Sequence, residues 1–360
     1  MPTPSFPALI AKSLGTEPFS LVDVGCSGGI DPKWRVFEPN LRILGIDASE
    51  AECRRLSALE RNADATYVAG FAGLPEGHPI RHRTSVSAIG DLIQPRFSYM
   101  RTREIRRDWM ERAPHEERIR QNEWQMTELA SPAATIVVPE LLTQRGWKNA
   151  DYLKIDIDRD DYEVLQSFDG RFEEFGLVAV QLEVMFIGSD SDLQHTFHNT
   201  DRFMRRQGFE LFDLEVRRYS KRALPGPYIW PTPAETVYGR PFMGEAYYAL
   251  DPTAAKDRGR PLDFQKLAKL AAIFSLWNVP DVAAELLLAR RAEFQSLLPV
   301  DNALDALAAQ VQPFRLVPRS YAAYMAEFEK DSAAFYRREG PVSFGERLAA
   351  AWRGFLQPRR

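Results

Sequence analysis

Asp23, Gly25, Gly28, Gly29 and Asp47 are the residues whose types and spacing most clearly suit chemistry. Residues 21–31 read LVDVGCSGGID: an apolar run ends in an acid, glycines follow, and Asp31-Pro32 opens a helix. Asp31 suits the N-cap there, and Pro32 suits the first helical position, where its missing N–H costs nothing. Glycine serves where a backbone turns tightly or approaches a ligand with no side chain in the way. A strand, a glycine turn and a helix build a nucleotide pocket in an open α/β sheet.

The spacing narrows the ligand. A dinucleotide fingerprint needs G-x-G-x-x-G, but counting from Gly25 places Ser27 and Ile30 at the second and third glycine positions. This disfavours a nicotinamide oxidoreductase. Read as D-x-G-x-x-x-G, the turn has Asp23, Gly25 and Gly29 in register, a form suited to S-adenosylmethionine (SAM), which has no pyrophosphate to seat. Cys26 and Gly28 lie within the same turn, Cys26 as a small packing residue. The segment LRILGID predicts a second strand ending in Asp47, 24 positions after Asp23, where an acid can accept hydrogen bonds from ribose hydroxyls. Ser49 and Glu52 then have the spacing of a capping box. An ordinary βαβ unit with a glycine turn and no ligand stands as the alternative.

Methyl transfer from a sulfonium is an in-line displacement in which the protein chiefly aligns nucleophile, methyl and sulfur. A hydroxyl nucleophile must also lose a proton, which calls for a general base or a metal. In YLKIDID, strand alternation sends Leu153, Ile155 and Ile157 one way and Lys154, Asp156 and Asp158 the other. A parallel strand is normally apolar on both faces, so its polar side is expected to meet a ligand. Asp156 is therefore a candidate catalytic acid and Asp158 a candidate substrate contact. Glu183, an acid within the apolar run VAVQLEV, is a second catalytic candidate. Asp160 and Asp161 suit a helix N-terminus. His195 and His198, three apart on an expected helix, are alternative bases. The acids could instead hold Mg²⁺ or Ca²⁺, which favour carboxylate oxygen, but no spacing specifies a metal and none is expected.

Two of these motifs resemble a family. LVDVGCSGG and DYLKIDIDRDDYEVL, followed in order by VAVQLEV, GFELFDLEVRRY and GEAYYALDP, are similar to the signatures of FkbM-type SAM-dependent methyltransferases across about residues 18 to 252. The chain departs from that pattern at Cys26-Ser27, where the family has Ala-Asn, at Arg159, where it has Gly, and at Asp161, where it has Glu. The resemblance implies a Rossmann-like methyltransferase fold: an α/β, mostly parallel seven-stranded sheet with helices on both faces. It also implies SAM as cofactor and a hydroxyl on a sugar or glycan intermediate as acceptor.

The elements that must position these residues follow from the pattern along the chain. Strands and helices alternate to about residue 90, with DATYVAGF as the third strand, and resume from Thr135 to about Leu250. Between about 90 and 133 lies an arginine-rich segment, expected to be a helical insertion and a solvated lid. Residues 225–245, rich in proline and aromatics, predict a surface loop in which Trp230 offers a face for a sugar ring. From about 256 the chain turns helical, with Asn278-Val279-Pro280 breaking one helix from the next, and residues 343–355 form a further amphipathic stretch. The expected division is 1–255 for the methyltransferase domain and 256–360 for a C-terminal helical region. That region could dock a protein partner or a second copy, and a non-catalytic module working through it is the rival reading.

Composition sets outer limits. The chain has 45% hydrophobic and 27% charged residues, ordinary for a soluble globular protein. A net charge of −4 supplies no field for nucleic acid. Two cysteines are too few for a disulfide-stapled fold. With no visible signal segment and no apolar run of membrane-spanning length, the cytoplasm is the expected location.

Overall fold

The computed structural model describes residues 4–75, 78, 135–157, 161–188, 190–221, 223–229, 232–253, 262–313, 315 and 317–338. The arginine-rich segment, Asp158, Arg159, Asp160, Trp230 and the stretch 343–355 lie outside the described residues.

The apolar runs of the sequence become strands β1 (Phe19–Val24), β2 (Leu41–Asp47), β3 (Ala65–Ala69), β4 (Tyr152–Ile155) and β5 (Ala179–Met185). β6 (Phe209–Tyr219) and β9 (Arg240–Leu250) complete a seven-stranded sheet of order β3-β2-β1-β4-β5-β9-β6. The first five pair in parallel, and β9 runs antiparallel to both β5 and β6. This is the Rossmann-like methyltransferase fold. Short β7 (Tyr228–Ile229) and β8 (Thr232–Thr236) form a hairpin inside the proline-rich segment, and β9 begins at Arg240, so that segment is not a plain loop.

Helix α1 (Phe6–Leu14) precedes the sheet, and α2 (Glu50–Leu59) packs on β2 and β3. The expected helix after Asp31 is a single 3₁₀ segment, Pro32–Phe37, with the Asp31 carboxylate accepting from the Lys33 N–H. α3 (Val138–Gln144), α4 (Asp161–Ser167) and α5 (Phe197–Arg206) follow. Beyond the sheet come α6 (Phe264–Leu276), α7 (Pro280–Ala289), α8 (Arg291–Phe294), α9 (Val300–Gln310), α10 (Tyr321–Lys330) and α11 (Ser332–Arg338). Among the described residues no helix is long and apolar enough to cross a membrane.

The helices after residue 262 share the sheet's hydrophobic core: Leu267, Leu270, Ile273 and Phe274 of α6 are fully buried in the cluster that contains Tyr152 and Ile10. Trp277 and Trp34 flank the Tyr152 ring, with centroids at 5.9 and 4.3 Å. Beneath them lies a buried ion network. Asp151, at the start of β4, receives Lys266 Nζ at 2.6 Å, Lys269 Nζ at 3.1 Å and the Ser20 N–H at 2.7 Å, and Lys269 also reaches Glu17 at 2.9 Å. Two ammoniums against two carboxylates make the network neutral, the condition on which buried charge is tolerated. Burial nonetheless lowers the Lys266 pKa.

Candidate active site

β1 and β4 lie side by side, so the glycine turn after β1 meets the end of β4 as the sequence predicts. The meeting is tight. Gly25 has φ +90°, and a Cβ there would lie 1.8 Å from the Asp156 carbonyl oxygen. Only glycine permits that approach. Gly28 and Gly29 also have positive φ.

Asp47 closes the turn from the neighbouring strand. Its carboxylate accepts the Ser49 N–H at 2.8 Å and also bonds the backbone of Ser27. Burial raises its pKa, and those bonds oppose the rise. The capping box is half formed: Ser49 Oγ accepts the Glu52 N–H at 3.2 Å, but the Glu52 carboxylate turns to the Gly28 N–H at 2.8 Å and to Arg55. Glu52 thus holds the glycine turn. Cys26 and Cys53 are both buried, and their thiols hydrogen-bond one another; the bond raises Cys26 and lowers Cys53.

Strand register lines up a polar row on one side of the sheet. Asp23 pairs with Lys154, Lys154 with Gln181, and Gln181 with Tyr247. Asp23 is buried. Its Oδ1 accepts no hydrogen bond and has Lys154 Nζ at 3.7 Å. Burial pushes its carboxyl up to about 6 against the pull of Lys154. Lys154 itself is held above its usual value: burial opposes its charge, but Asp23 and Asp156 outweigh that.

One rung further along, Glu183 pairs with Glu245 and Glu245 with Glu215. β4 ends at Ile155, so Asp156 stands just past the strand, its Oδ2 at 3.0 Å from Lys154 Nζ. Carboxylate oxygens of Asp156, Glu183 and Glu245 lie within 4.8 Å of one another. Arg217 of β6 reaches Glu245 at 3.4 Å and Glu183 at 3.9 Å, so Lys154 and Arg217 both bring positive charge to the cluster. Asp156 and Glu183 are thereby brought together, and Glu245, which the sequence reading passed over, joins them.

His195 precedes α5 rather than lying on it. Its Nε2 is 2.8 Å from the Glu183 carbonyl oxygen, and its Nδ1 is 3.9 Å from Asp161 Oδ2. Asp161 begins α4 and accepts the Ile157 N–H at 3.1 Å. Both residues shape the backbone around the acids.

An orphaned buried carboxylate oxygen on Asp23, a glycine turn packed on the Asp156 backbone and the acid Asp47 fit a cationic nucleoside cofactor: an anion for its charge and an acceptor for ribose hydroxyls.

No protein-family model matches the chain, and no curated protein matches it. Among solved structures it is similar to magnesium protoporphyrin IX methyltransferase from Synechocystis with bound SAM, at 9% identity, over 68% of this chain and 76% of that one, with a TM-score of 0.29. It is also similar to Aeropyrum pernix fibrillarin with natively bound SAM, at 10% identity, over 68% and 76% of the two chains, with a TM-score of 0.29. A third is precorrin-6y C5,15-methyltransferase from Geobacter metallireducens, at 11% identity, over 68% and 87%, with a TM-score of 0.29. Likenesses this distant say nothing of substrate or activity, and the fold assignment stands on the strand order.

Proposed function

We propose that this chain is a SAM-dependent methyltransferase of the FkbM type, acting on a hydroxyl of a sugar or glycan intermediate. The observation that carries the reading is the junction of Gly25 with the Asp156 carbonyl, flanked by Asp23 and Asp47. The glycine turn and the acid cluster lie side by side at the carboxyl edge of the sheet, where open α/β sheets bind ligands, and this supports a cofactor and an acceptor meeting there. Asp23, Gly25, Cys26, Gly28, Gly29 and Asp47 form the cofactor side. Asp156 and Glu183 form the acceptor side. The division at about residue 255 into a methyltransferase domain and a helical region belongs to the same reading, as two regions built on one shared hydrophobic core.

When bound, SAM supplies a methyl group on a positively charged sulfur. Asp47 would hold the ribose hydroxyls, Asp23 would face the positive charge, and the acids beyond β4 would orient the acceptor hydroxyl and receive its proton. The glycan class of the acceptor rests on the family resemblance. Calorimetry with SAM and with NADH tests the reading: SAM binding without NADH binding is expected, and the reverse would overturn it.

A further inference from the structure

The three acids at the acceptor side have unequal surroundings. Asp156 is the most open, with 36% of its side chain exposed, and it holds the Lys154 ammonium. Glu183 and Glu245 are buried against Arg217. Glu245 is held by two long contacts: Gln181 Nε2 at 3.3 Å on Oε2 and Arg217 Nη2 at 3.4 Å on Oε1. Glu245 is thus a buried carboxylate with long contacts and a second carboxylate close by, surroundings that disfavour its charge.

Resting on the methyltransferase reading, we propose that Glu245 is the proton acceptor of this site, taking the proton of the acceptor hydroxyl, and that Asp156 controls its charge. The acceptor O–H bond breaks with the proton passing to the Glu245 carboxylate. The oxygen-to-carbon bond forms as the carbon–sulfur bond breaks, its electron pair remaining on sulfur. Protonated Glu245 then returns its proton to water, so charge and atoms balance.

The groups facing Glu245 come from every strand around it. β4 supplies Lys154 and, just past its end, Asp156; β5 supplies Gln181 and Glu183, β6 Glu215 and Arg217, and β9 itself Tyr247. Asp23 of β1 reaches the group through Lys154. Burial raises the Glu245 pKa, and the charge of Asp156 raises it further; Arg217, Lys154 and the Gln181 amide pull it down. A carboxylate lifted toward the working pH is a better base than one in its ordinary range.

Proton titration of glutamate carboxyls by NMR, on full-length protein carrying carbon-13 in its glutamate side chains, tests the proposal. The resonance that disappears in Glu245→Gln, or in Glu245→Asp if the amide variant does not fold, identifies the group. Its midpoint should lie above the ordinary glutamate range and fall by about one pH unit in Asp156→Asn, the size of shift a neighbouring carboxylate causes. A midpoint in the ordinary range, or one indifferent to Asp156→Asn, overturns the proposal. So does a midpoint that differs between EDTA-treated and untreated protein, since the acids would then serve a divalent cation. Calorimetry with SAM on Glu245→Gln keeps the two readings apart: retained binding leaves the methyltransferase reading intact whatever the titration shows, whereas a wild-type protein that binds no SAM removes that reading and the proposal with it.

Discussion

Trp277 and Glu245 are joined by a hydrogen-bond chain that crosses β4, β5 and β9. Trp277 Nε1 donates to the Tyr152 hydroxyl at 3.0 Å, that hydroxyl donates to Gln181 Oε1 at 2.6 Å, and Gln181 Nε2 donates to Glu245 Oε2 at 3.3 Å. Tyr152→Phe cuts the chain at its centre and leaves a buried indole N–H and an amide oxygen without their partner. The expected loss is about 1–3 kcal/mol of folding stability, read by urea denaturation. Trp277→Phe, which leaves the Tyr152–Gln181 bond in place, should cost the site less than it costs the core.

Asp23→Asn should make the ligand-free protein more stable and SAM binding weaker. The folded carboxyl is pushed up to about 6 from 3.8, so the folded chain binds the proton more tightly than the unfolded one. This group therefore adds stability as pH falls from about 6 toward 4 and withholds it above, by roughly 2–3 kcal/mol. A cation beside Asp23 favours the ionised form, so SAM affinity should decline as pH drops through about 6. Thermal melts and calorimetry from about pH 5 to 8 check both signs.

Gly25→Ala should abolish SAM binding and lower the melting temperature. The added carbon would stand 1.8 Å from the Asp156 carbonyl at a φ of +90°, so β1 and β4 must part or the turn must refold. A variant with wild-type affinity would detach the turn from the cofactor.

Asp47→Ala should weaken SAM binding by about 1–3 kcal/mol, the usual loss for a charged hydrogen-bond acceptor. Its Ser49 and Ser27 contacts are local, so the fold should survive. Calorimetry on a variant with an unchanged circular dichroism spectrum measures the loss.

Asp151→Asn should be among the most destabilising single changes at the surface of the core. It leaves two buried ammoniums, Lys266 and Lys269, against Glu17 alone. Breaking a buried pair on one side costs about 3–5 kcal/mol. Denaturant midpoints for Asp151→Asn and for the double variant with Lys266→Met would show whether removing both partners recovers part of the loss.

Much of the sheet was legible in the sequence because buried strands announce themselves as apolar runs: LVDV, LRILGID, YLKI and VAVQLEV each became a strand. The glycine turn and the strand end at Asp47 were legible because each is defined by residues adjacent in sequence. Glu52 was not read as a partner of Gly28, because a capping spacing within one helix also suits a side chain that crosses 24 residues to another turn. Glu245 was hidden by the antiparallel return of β9, whose register alone brings it beside Glu183. The spacing of His195 to His198 suits a helix, yet the helix begins at Phe197, after the N-cap position at Thr196, and leaves His195 outside. The hairpin of β7 and β8 sits in a segment whose prolines read as loop. Asp158 and Trp230, offered as substrate contacts, lie outside the described residues.

The grip of Lys266 and Lys269 on Asp151 bears on how this architecture can be rearranged. Asp151 stands at the rear of the strand whose front end presents Asp156, so the helices beyond residue 262 clamp the back of the beam that carries the site. A recombination point near residue 255 would sever the clamp and strand a carboxylate in the core. Grafting this site onto another scaffold would therefore have to bring α6 with it or replace Asp151.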